Sequence, residues 1–231
     1  MSHWEAAMRK AGFVDRADGL HSEKLKDMLR LRESGLPQFA FLDIPYTDFL
    51  RDSSLVGDFI RRYGGICVRA LPNNEGAKRG FTRAYKMGYL SLEECSRFLH
   101  DKIVNNRELW DISLTEWAPN KAGFVIISGE RHVLGEIGKS LEDLSHGKEE
   151  PLARFTIDRS LVGHVIDKTI WEAKGRHKSH YQKLLWNAFQ YICIPGGNFD
   201  PYCLRGYFEG AVIQDGRVKF LDYKVNEIYL Q

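Results

Sequence analysis

One stretch near the end of the chain decides the fold: GYFEGAVIQDGRVKFLDYKVN, which runs from Gly206 to Asn226. Two apolar runs flank the pair Asp215-Gly216, and an Asp-Gly pair between β-prone runs is a strong hairpin signal. Side chains alternate between the two faces of a strand, so Phe208 and Glu209 point to opposite faces. The stretch therefore predicts an antiparallel hairpin with one polar position on a largely apolar face.

The predicted hairpin brings two carboxylates together. Glu209 lies near the start of the first strand and Asp222 near the end of the second, so antiparallel pairing places them close to each other. Because Glu209 shares its face with apolar neighbours, its charge requires a partner, either a basic side chain or a divalent cation. The alternative is a pair of solvent-facing acids on an exposed hairpin.

Composition sets the class of protein without indicating a partner. The 231 residues are 43% hydrophobic and 28% charged, which is ordinary for a globular chain with one large domain or two small lobes. A formal charge of +2 gives no overall attraction to nucleic acid. Apolar runs fall short of the roughly 18 residues that span a bilayer, and the N-terminus lacks the features of a signal peptide. These features predict a cytoplasmic protein without a membrane segment.

The cysteine pattern predicts buried free thiols. The four cysteines show no CxxC spacing, and most of them lie in or beside apolar runs. This usage favours free thiols over a zinc site or a disulfide framework. The four positions are Cys67, Cys95, Cys193 and Cys203.

The order of predicted elements indicates an α+β protein. A strand–helix–strand unit comes first, and antiparallel hairpins with intervening helices follow, which differs from a doubly wound sheet. Residues 162–174 are compatible with either a helix or a strand, and residues 72–88 are predicted to form a basic loop. The predicted strands are 39–44, 66–70, 112–117, 124–128 and 132–137, and the predicted helices are 53–62, 91–105 and 175–190.

Five further stretches carry a resemblance to a known superfamily. They are GLPQFAFLDIP (Gly35–Pro45), YGGICVRALP (Tyr63–Pro72), the basic loop Asn73–Gly88, LTEWAPNKAGFVI (Leu114–Ile126) and the run Ala122–Gly147, which contains the matching pair Gly135-Glu136. With the C-terminal hairpin they resemble the ATP-grasp superfamily, and most of all the ATP-binding domain of phosphoenolpyruvate synthase and pyruvate phosphate dikinase. The resemblance implies a two-lobed α+β fold with antiparallel sheets. It divides the chain into a helical segment (1–34), an N-terminal lobe with a phosphate loop (35–110), and a C-terminal lobe with an adenine hinge and a metal hairpin (111–231).

The resemblance also implies phosphate ligands. Arg69 lies near the end of a predicted strand, where the family keeps a basic residue that reaches the nucleotide phosphates. The basic loop carries Lys78, Arg79 and Arg83 among glycines, which is similar to a phosphate-covering lid. The alternatives are that Arg69 pairs with a nearby carboxylate and that the loop is a solvated surface.

The adenine and metal sites follow from the same resemblance. Glu116, Trp117 and Ala118 match the family stretch whose backbone binds the adenine edge; the alternative is a core Trp117 beside an edge-strand Glu116. Glu209, Asp222 and Asn226 are the implied Mg²⁺ ligands. Lys224 departs from the pattern, because it stands where the family has Asn. If it points at the carboxylates, it replaces the metal, which disfavours catalysis and favours a non-catalytic module; if it points outward, both carboxylates remain free for Mg²⁺.

The resemblance therefore implies an ATP- and Mg²⁺-dependent ligase or phosphotransferase. Arg69, Arg83 and Lys224 are the candidate catalytic residues, and the acceptor is unidentified. The basic segment Lys174–Lys183 leaves nucleic acid as one possible partner. The alternative is a non-catalytic module that binds a nucleotide or nucleic acid on a degenerate ATP-grasp fold.

Overall fold

The computed structural model describes residues 27, 30–129, 132–145, 147–158, 170–173, 178–194 and 202–225. They fall into two compact units. The N-terminal unit comprises Phe39–Pro119, and the C-terminal unit comprises the described residues of Asp27–Gln38 and of Asn120 onward. The chain passes between units after Pro119. The boundary predicted at residue 110 lies inside a strand of the N-terminal unit.

The N-terminal unit contains a four-stranded antiparallel sheet in the order β1-β4-β2-β3. Val68 and Leu114 lie on the face that packs against helices, together with Val56 and Leu99 from those helices. Its strands are β1 (Phe41–Pro45), β2 (Ile66–Pro72), β3 (Ala84–Gly88) and β4 (Trp110–Glu116). Its helices are α1 (Tyr46–Arg51), α2 (Ser54–Tyr63), α3 (Asn74–Lys78), α4 (Leu92–Lys102) and the 3₁₀ turn Arg107–Leu109.

Local sequence signals explain some of these elements better than others. The predicted capping box is present at α4, where Ser91 Oγ accepts from the Glu94 amide and the Glu94 carboxylate accepts from the Ser91 amide. The prediction of a loop over 72–88 is wrong. Asn73 caps the short helix α3 by accepting two amide hydrogen bonds, and Ala84–Gly88 pairs with β2 as the strand β3.

The C-terminal unit contains a six-stranded antiparallel sheet in the order β12-β11-β5-β6-β7-β8. Helix α6 packs on one of its faces, where Leu185 and Phe189 meet Phe124, Phe155 and Phe208. The strands are β5 (Asn120–Ser128), β6 (His132–Gly138), β7 (Ala153–Asp158), β8 (Ile170–Ala173), β11 (Gly206–Ile213) and β12 (Val218–Lys224). The other elements are α5 (Leu141–Ser145), α6 (Lys178–Ile192) and the strand pair β9 (Cys193–Ile194) and β10 (Tyr202–Cys203).

The two larger sheets are antiparallel, and the predicted α+β class is confirmed. The C-terminal hairpin is also confirmed, since β11 pairs with β12 around the predicted turn. A β-bulge interrupts this pairing: Gly210 faces Phe220, but Glu209 faces Asp222, so Leu221 is the extra residue on β12.

A close approach fixes α5 on the sheet. A Cβ atom on Gly123 of β5 would overlap the backbone of Leu141, the first residue of α5. Leu141 and Leu144 of α5 pack against Val125 and Ile127, on the sheet face opposite α6. Glycine at position 123 therefore lets the helix lie directly on the strand.

The cysteine prediction is half right. Cys67 and Cys95 are buried free thiols, as predicted. Cys193 and Cys203 instead form a disulfide, because β9 and β10 pair antiparallel and place the two residues directly opposite each other. This register is a tertiary feature that cysteine spacing in the sequence does not reveal. Within the described residues, none of the helices has the length and apolar character needed to cross a membrane.

Candidate functional site

The two hairpin carboxylates face each other. Glu209 and Asp222 are direct partners in the β11–β12 register, and Asp222 is only 2% exposed. Their side chains lie on the α5 side of the sheet, because Phe208 and Phe220 occupy the opposite, α6-covered face. The bulge is responsible for this arrangement. In a regular register without the bulge, Leu221 would face Glu209, and Asp222 would pair with Phe208 and point into the aromatic core.

A lysine completes the cluster, which we call the hairpin cluster: Tyr207, Glu209, Asp222 and Lys224. The Lys224 Nζ lies 3.1 Å from Asp222 Oδ2 and 5.3 Å from the centroid of the Tyr207 ring. The Tyr207 hydroxyl donates a hydrogen bond to Glu209. Each member therefore contacts another through an ion pair, a hydrogen bond or a cation–π contact.

Electrostatics in the cluster favour the charged form of the lysine. Burial lowers the pKa of Lys224, but the carboxylates of Asp222, Glu209 and Asp27 outweigh burial and raise that pKa above its usual value. The side chain remains 35% exposed, so the ammonium lies at the border of the cluster with solvent. Lys224 thus points at the carboxylates, the orientation for which the sequence predicted that the lysine replaces the metal and disfavours catalysis.

The oxygen donors of the hairpin cluster fit Mg²⁺ in part. Two carboxylates on adjacent strands are the hard oxygen ligands that Mg²⁺ prefers. Among the described residues no group of three or more His, Cys, Asp or Glu side chains converges in metal-binding geometry. Asn226, the third predicted ligand, lies outside the described residues. Glu209 and Asp222 therefore fit a Mg²⁺ ion that takes its other ligands from water or phosphate, provided that the Lys224 ammonium moves away.

The hairpin carboxylates belong to a row that crosses the whole sheet. Strand registers align Asp222, Glu209 and Val125 with Glu136 on β6, then with Arg154 on β7 and Glu172 on β8. Arg154 bridges its two neighbours, with Nη2 3.2 Å from Glu136 and Nη1 3.5 Å from Glu172. One face of the sheet thus carries five charged positions at the same level.

From the sequence, Glu136 matched the family pattern but had no chemical role assigned to it, although its position in the strand is a signal of its own. It stands in the apolar strand HVLGEIG and is 3% exposed. The pKa of Glu136 is raised to about 7: burial is the largest cause, Arg154 lowers the pKa in part, and Glu172 adds to the rise. An acid inside an apolar strand is the same pattern that singled out Glu209.

Arg69 lies on the N-terminal sheet, on the face opposite the helices. Its Nη1 donates to Thr115 Oγ1 at 2.8 Å, across the β2–β4 pair. Within the described residues it forms no ion pair, so the alternative of a carboxylate partner receives no support from this part of the chain. Among the described residues, the hydrogen-bond partner of the guanidinium is thus the neutral hydroxyl of Thr115.

The other predicted phosphate ligands lie on the surface of the N-terminal unit. Lys78 pairs with Glu75 one helical turn earlier, with 2.7 Å between Nζ and Oε1. Arg79 ends α3, and Arg83 is exposed just before β3. These cations are accessible. The β2–β3 register pairs Arg69 with Tyr85, two positions from Arg83, whereas Lys78 and Arg79 are related to Arg69 by chain proximity.

Two of the three backbone amides in the predicted adenine segment already donate hydrogen bonds within the N-terminal unit. The Glu116 amide donates to Ala40 O, and the Trp117 amide donates to Gly65 O. The Glu116 carboxylate accepts from the Ala40 amide at 3.1 Å. Of the three residues, only Ala118 keeps an amide without a hydrogen bond to the described residues.

Trp117 is neither a core residue nor a freely exposed one. It is half-buried, and its ring contacts Tyr89 edge to face with 5.4 Å between centroids. A Cβ atom on Gly65 would lie 2.9 Å from the Trp117 ring, so the glycine allows the indole to lie against the backbone. Both aromatic residues directly follow a strand of the N-terminal sheet, Tyr89 after β3 and Trp117 after β4.

Comparison with known proteins gives similarities of fold only. No family model and no curated protein sequence matches the chain. Among solved structures it is similar to the macrocyclase MdnC bound with precursor peptide MdnA from Microcystis aeruginosa, with 15% identity and a TM-score of 0.40 over 95% of this chain and 60% of that one. It is also similar to a RiPP-associated ATP-grasp ligase from Chryseobacterium gregarium, with 12% identity and a TM-score of 0.42 over 98% and 62%.

A third similar structure is N5-carboxyaminoimidazole synthase from Aspergillus clavatus, with 14% identity and a TM-score of 0.43 over 86% of this chain and 43% of that one. This chain thus spans about 60% or less of the length of these three proteins. Likenesses with TM-scores below 0.5 do not transfer an activity. None of the three is a phosphoenolpyruvate synthase or a pyruvate phosphate dikinase, so that finer resemblance stays a prediction.

Proposed function

We propose that the chain is an ATP- and Mg²⁺-dependent enzyme of ligase type with an ATP-grasp arrangement. The observation that carries the proposal is the opposed pair Glu209 and Asp222 on one face of the C-terminal sheet. Enzymes that transfer phosphoryl groups commonly hold Mg²⁺ through one or two carboxylates and the phosphates of the substrate. When bound, Mg²⁺ supplies charge neutralisation at the phosphates.

The chain's own residues would bind and orient the nucleotide. Arg69 is the proposed phosphate ligand of the N-terminal unit, because a guanidinium on a strand is held in place and can bind two oxygens at once. If the Arg69 guanidinium released the Thr115 hydroxyl and bound a phosphate, its positive charge would gain a negatively charged partner. Arg79 and Arg83 are exposed and would add phosphate contacts, whereas Lys78 would first have to leave Glu75.

The adenine would take its hydrogen bonds from the Ala118 amide and from backbone carbonyls of the same segment. Trp117 and Tyr89 would supply the apolar surface against which a base can lie. Catalysis of this kind depends on positioning and on charge neutralisation, so it does not require a nucleophilic side chain. Lys224 would contribute a positive charge near the phosphates.

The test is thermal stabilisation by nucleotide. The full chain would be melted with ATP plus Mg²⁺, with ATP alone and with Mg²⁺ alone. A ligand at 100 times its Kd stabilises the folded state by about 2.7 kcal/mol, and for a chain of this size each kcal/mol raises Tm by roughly 2–4 °C. We expect Tm to rise by several degrees with ATP plus Mg²⁺ and by much less with ATP alone.

A matched pair of variants tests whether the Mg²⁺-dependent rise in Tm requires Asp222. Asp222→Asn removes a proposed metal ligand, whereas Asp215→Asn changes an exposed acid in the turn of the same hairpin. The Mg²⁺-dependent stabilisation should vanish in the first variant and persist in the second. Stabilisation by ATP without Mg²⁺ dependence would favour the non-catalytic module instead. Equal melting with every nucleotide tested would refute nucleotide binding altogether.

A further inference from the structure

Lys224 places a positive charge where a metal-dependent site would need a vacant coordination position. Its ammonium is 3.1 Å from Asp222 Oδ2, and the carboxylates of Glu209 and Asp27 also attract it. Asp222 is almost completely buried, and a buried carboxylate is costly unless it is paired. The lysine therefore compensates the carboxylates that Mg²⁺ would otherwise use.

A lysine and a divalent cation cannot both occupy this position. Mg²⁺ binds carboxylate oxygens at about 2.0–2.1 Å, which would bring two like charges close together if the ammonium stayed within hydrogen-bond distance of the same oxygen. Their repulsion is strong where solvent screening is poor. Metal entry therefore requires the ammonium to move.

The ammonium has a route out of the cluster. The Lys224 side chain is 35% exposed, whereas that of Asp222 is 3% exposed, so the lysine approaches the acid from the solvent side. Its flexible stem lets the charge swing, and phosphate oxygens are strong partners for an ammonium. A polyphosphate that reaches the cluster offers the lysine a replacement partner.

We propose that Lys224 is the resident cation of the Glu209–Asp222 pair and that it keeps divalent metal out of the nucleotide-free protein. Metal then enters together with a polyphosphate that takes over the ammonium. The first statement stands on the ion pair alone, whereas the second rests on the proposed function. Because binding free energies are coupled reciprocally, nucleotide would tighten metal binding and metal would tighten nucleotide binding by the same factor.

The experiment measures Mn²⁺ binding, with Mn²⁺ as a probe for Mg²⁺, from the electron paramagnetic resonance signal of the free ion. Wild type is compared with Lys224→Gln and with Lys219→Gln, a partly buried lysine on the same strand. Without nucleotide, Lys224→Gln should bind Mn²⁺ about tenfold more tightly than wild type, within the range typical of coupled sites. Lys219→Gln should match wild type, and adding Asp222→Asn to Lys224→Gln should remove the gained site.

A second arm adds ADP. Wild type should then bind Mn²⁺ about tenfold more tightly than it does without ADP, and Lys224→Gln should gain much less. If Lys224→Gln gains a Mn²⁺ site but ADP binds to neither protein, the role of Lys224 stands and the proposed nucleotide function fails. Equal Mn²⁺ affinity of wild type and Lys224→Gln overturns the inference. Lys224→Met, checked for a native circular dichroism spectrum and melting transition, provides a second variant with the same expected result.

Discussion

Glu136 should make the stability of the protein fall as the pH rises. It is 3% exposed, and burial raises its pKa to about 7 from an ordinary value of 4.5. Arg154, whose Nη2 lies 3.2 Å from Glu136 Oε1, lowers that pKa but does not offset the burial. The folded state therefore binds the proton of this carboxyl more tightly than the unfolded state does.

The sign and the size follow from linkage. The stabilisation is fully present below pH 4.5, declines as the pH rises between 4.5 and 7, and is lost above 7. At about 1.4 kcal/mol per pH unit, the two pKa values correspond to about 3 kcal/mol of unfolding free energy, of which about 2 kcal/mol is lost between pH 5.5 and 8. Other titrating groups add their own pH dependence, so the variant must be compared with wild type.

Urea unfolding of wild type and Glu136→Gln at pH 5.5, 6.5, 7.5 and 8 measures the effect. The difference in unfolding free energy between them should change by about 2 kcal/mol across this range, in favour of the variant at high pH. Glu172→Gln is the control, because Glu172 pairs with the same arginine but is 68% exposed; its profile should run nearly parallel to wild type. A Glu136→Gln profile that also runs parallel to wild type would refute the assignment of this pKa.

Three further predictions concern stability. Gly210→Ala should destabilise the fold by about 2 kcal/mol or more, because the new Cβ would overlap the Phe124 ring and lie 2.5 Å from Lys219 O. Gly57→Ala in α2 is the control, and it should be neutral or stabilising by up to about 1 kcal/mol. Chemical unfolding measures both free energies. Cys203→Ser should lower the unfolding free energy by about 3 kcal/mol, because the disulfide closes a loop between residues ten positions apart; an unchanged melting transition in the variant would argue against the bond. Ser91→Ala should cost about 1 kcal/mol through loss of the α4 cap, and Ser91→Asp should restore most of it.

The sequence predicts this fold best where the signal is local. The Asp215-Gly216 turn, the alternation in β11 and the capping box at Ser91 involve residues within a few positions of each other, and all three are present. The short helix α3 and the short strand β3 were not predicted from the sequence. Helix α3 depends on the Asn73 cap, and β3 depends on pairing with β2. A cap and a strand partner outweigh the loop-like composition of this segment.

The candidate site was predictable in its acids but not in their environment. Glu209 and Asp222 stand out because each interrupts an apolar strand, and Lys224 was noted as a departure from the family pattern. The contacts of Lys224 with Asp222 and Tyr207 depend on the register and the bulge, which sequence periodicity does not give. For the same reason, the alignment of Glu136 with the hairpin acids becomes visible only when the registers of β5, β6 and β11 are known.

The bulge at Leu221 makes the location of an acid depend on how two strands pair. If β12 paired with β11 without the bulge, Leu221 would lie opposite Glu209, and Asp222 would lie on the other side of the sheet although no side chain had changed. Such a shift would remove the acid from the hairpin cluster as completely as its replacement by alanine. Comparisons between hairpins of this type should therefore locate the bulge before they align the acids.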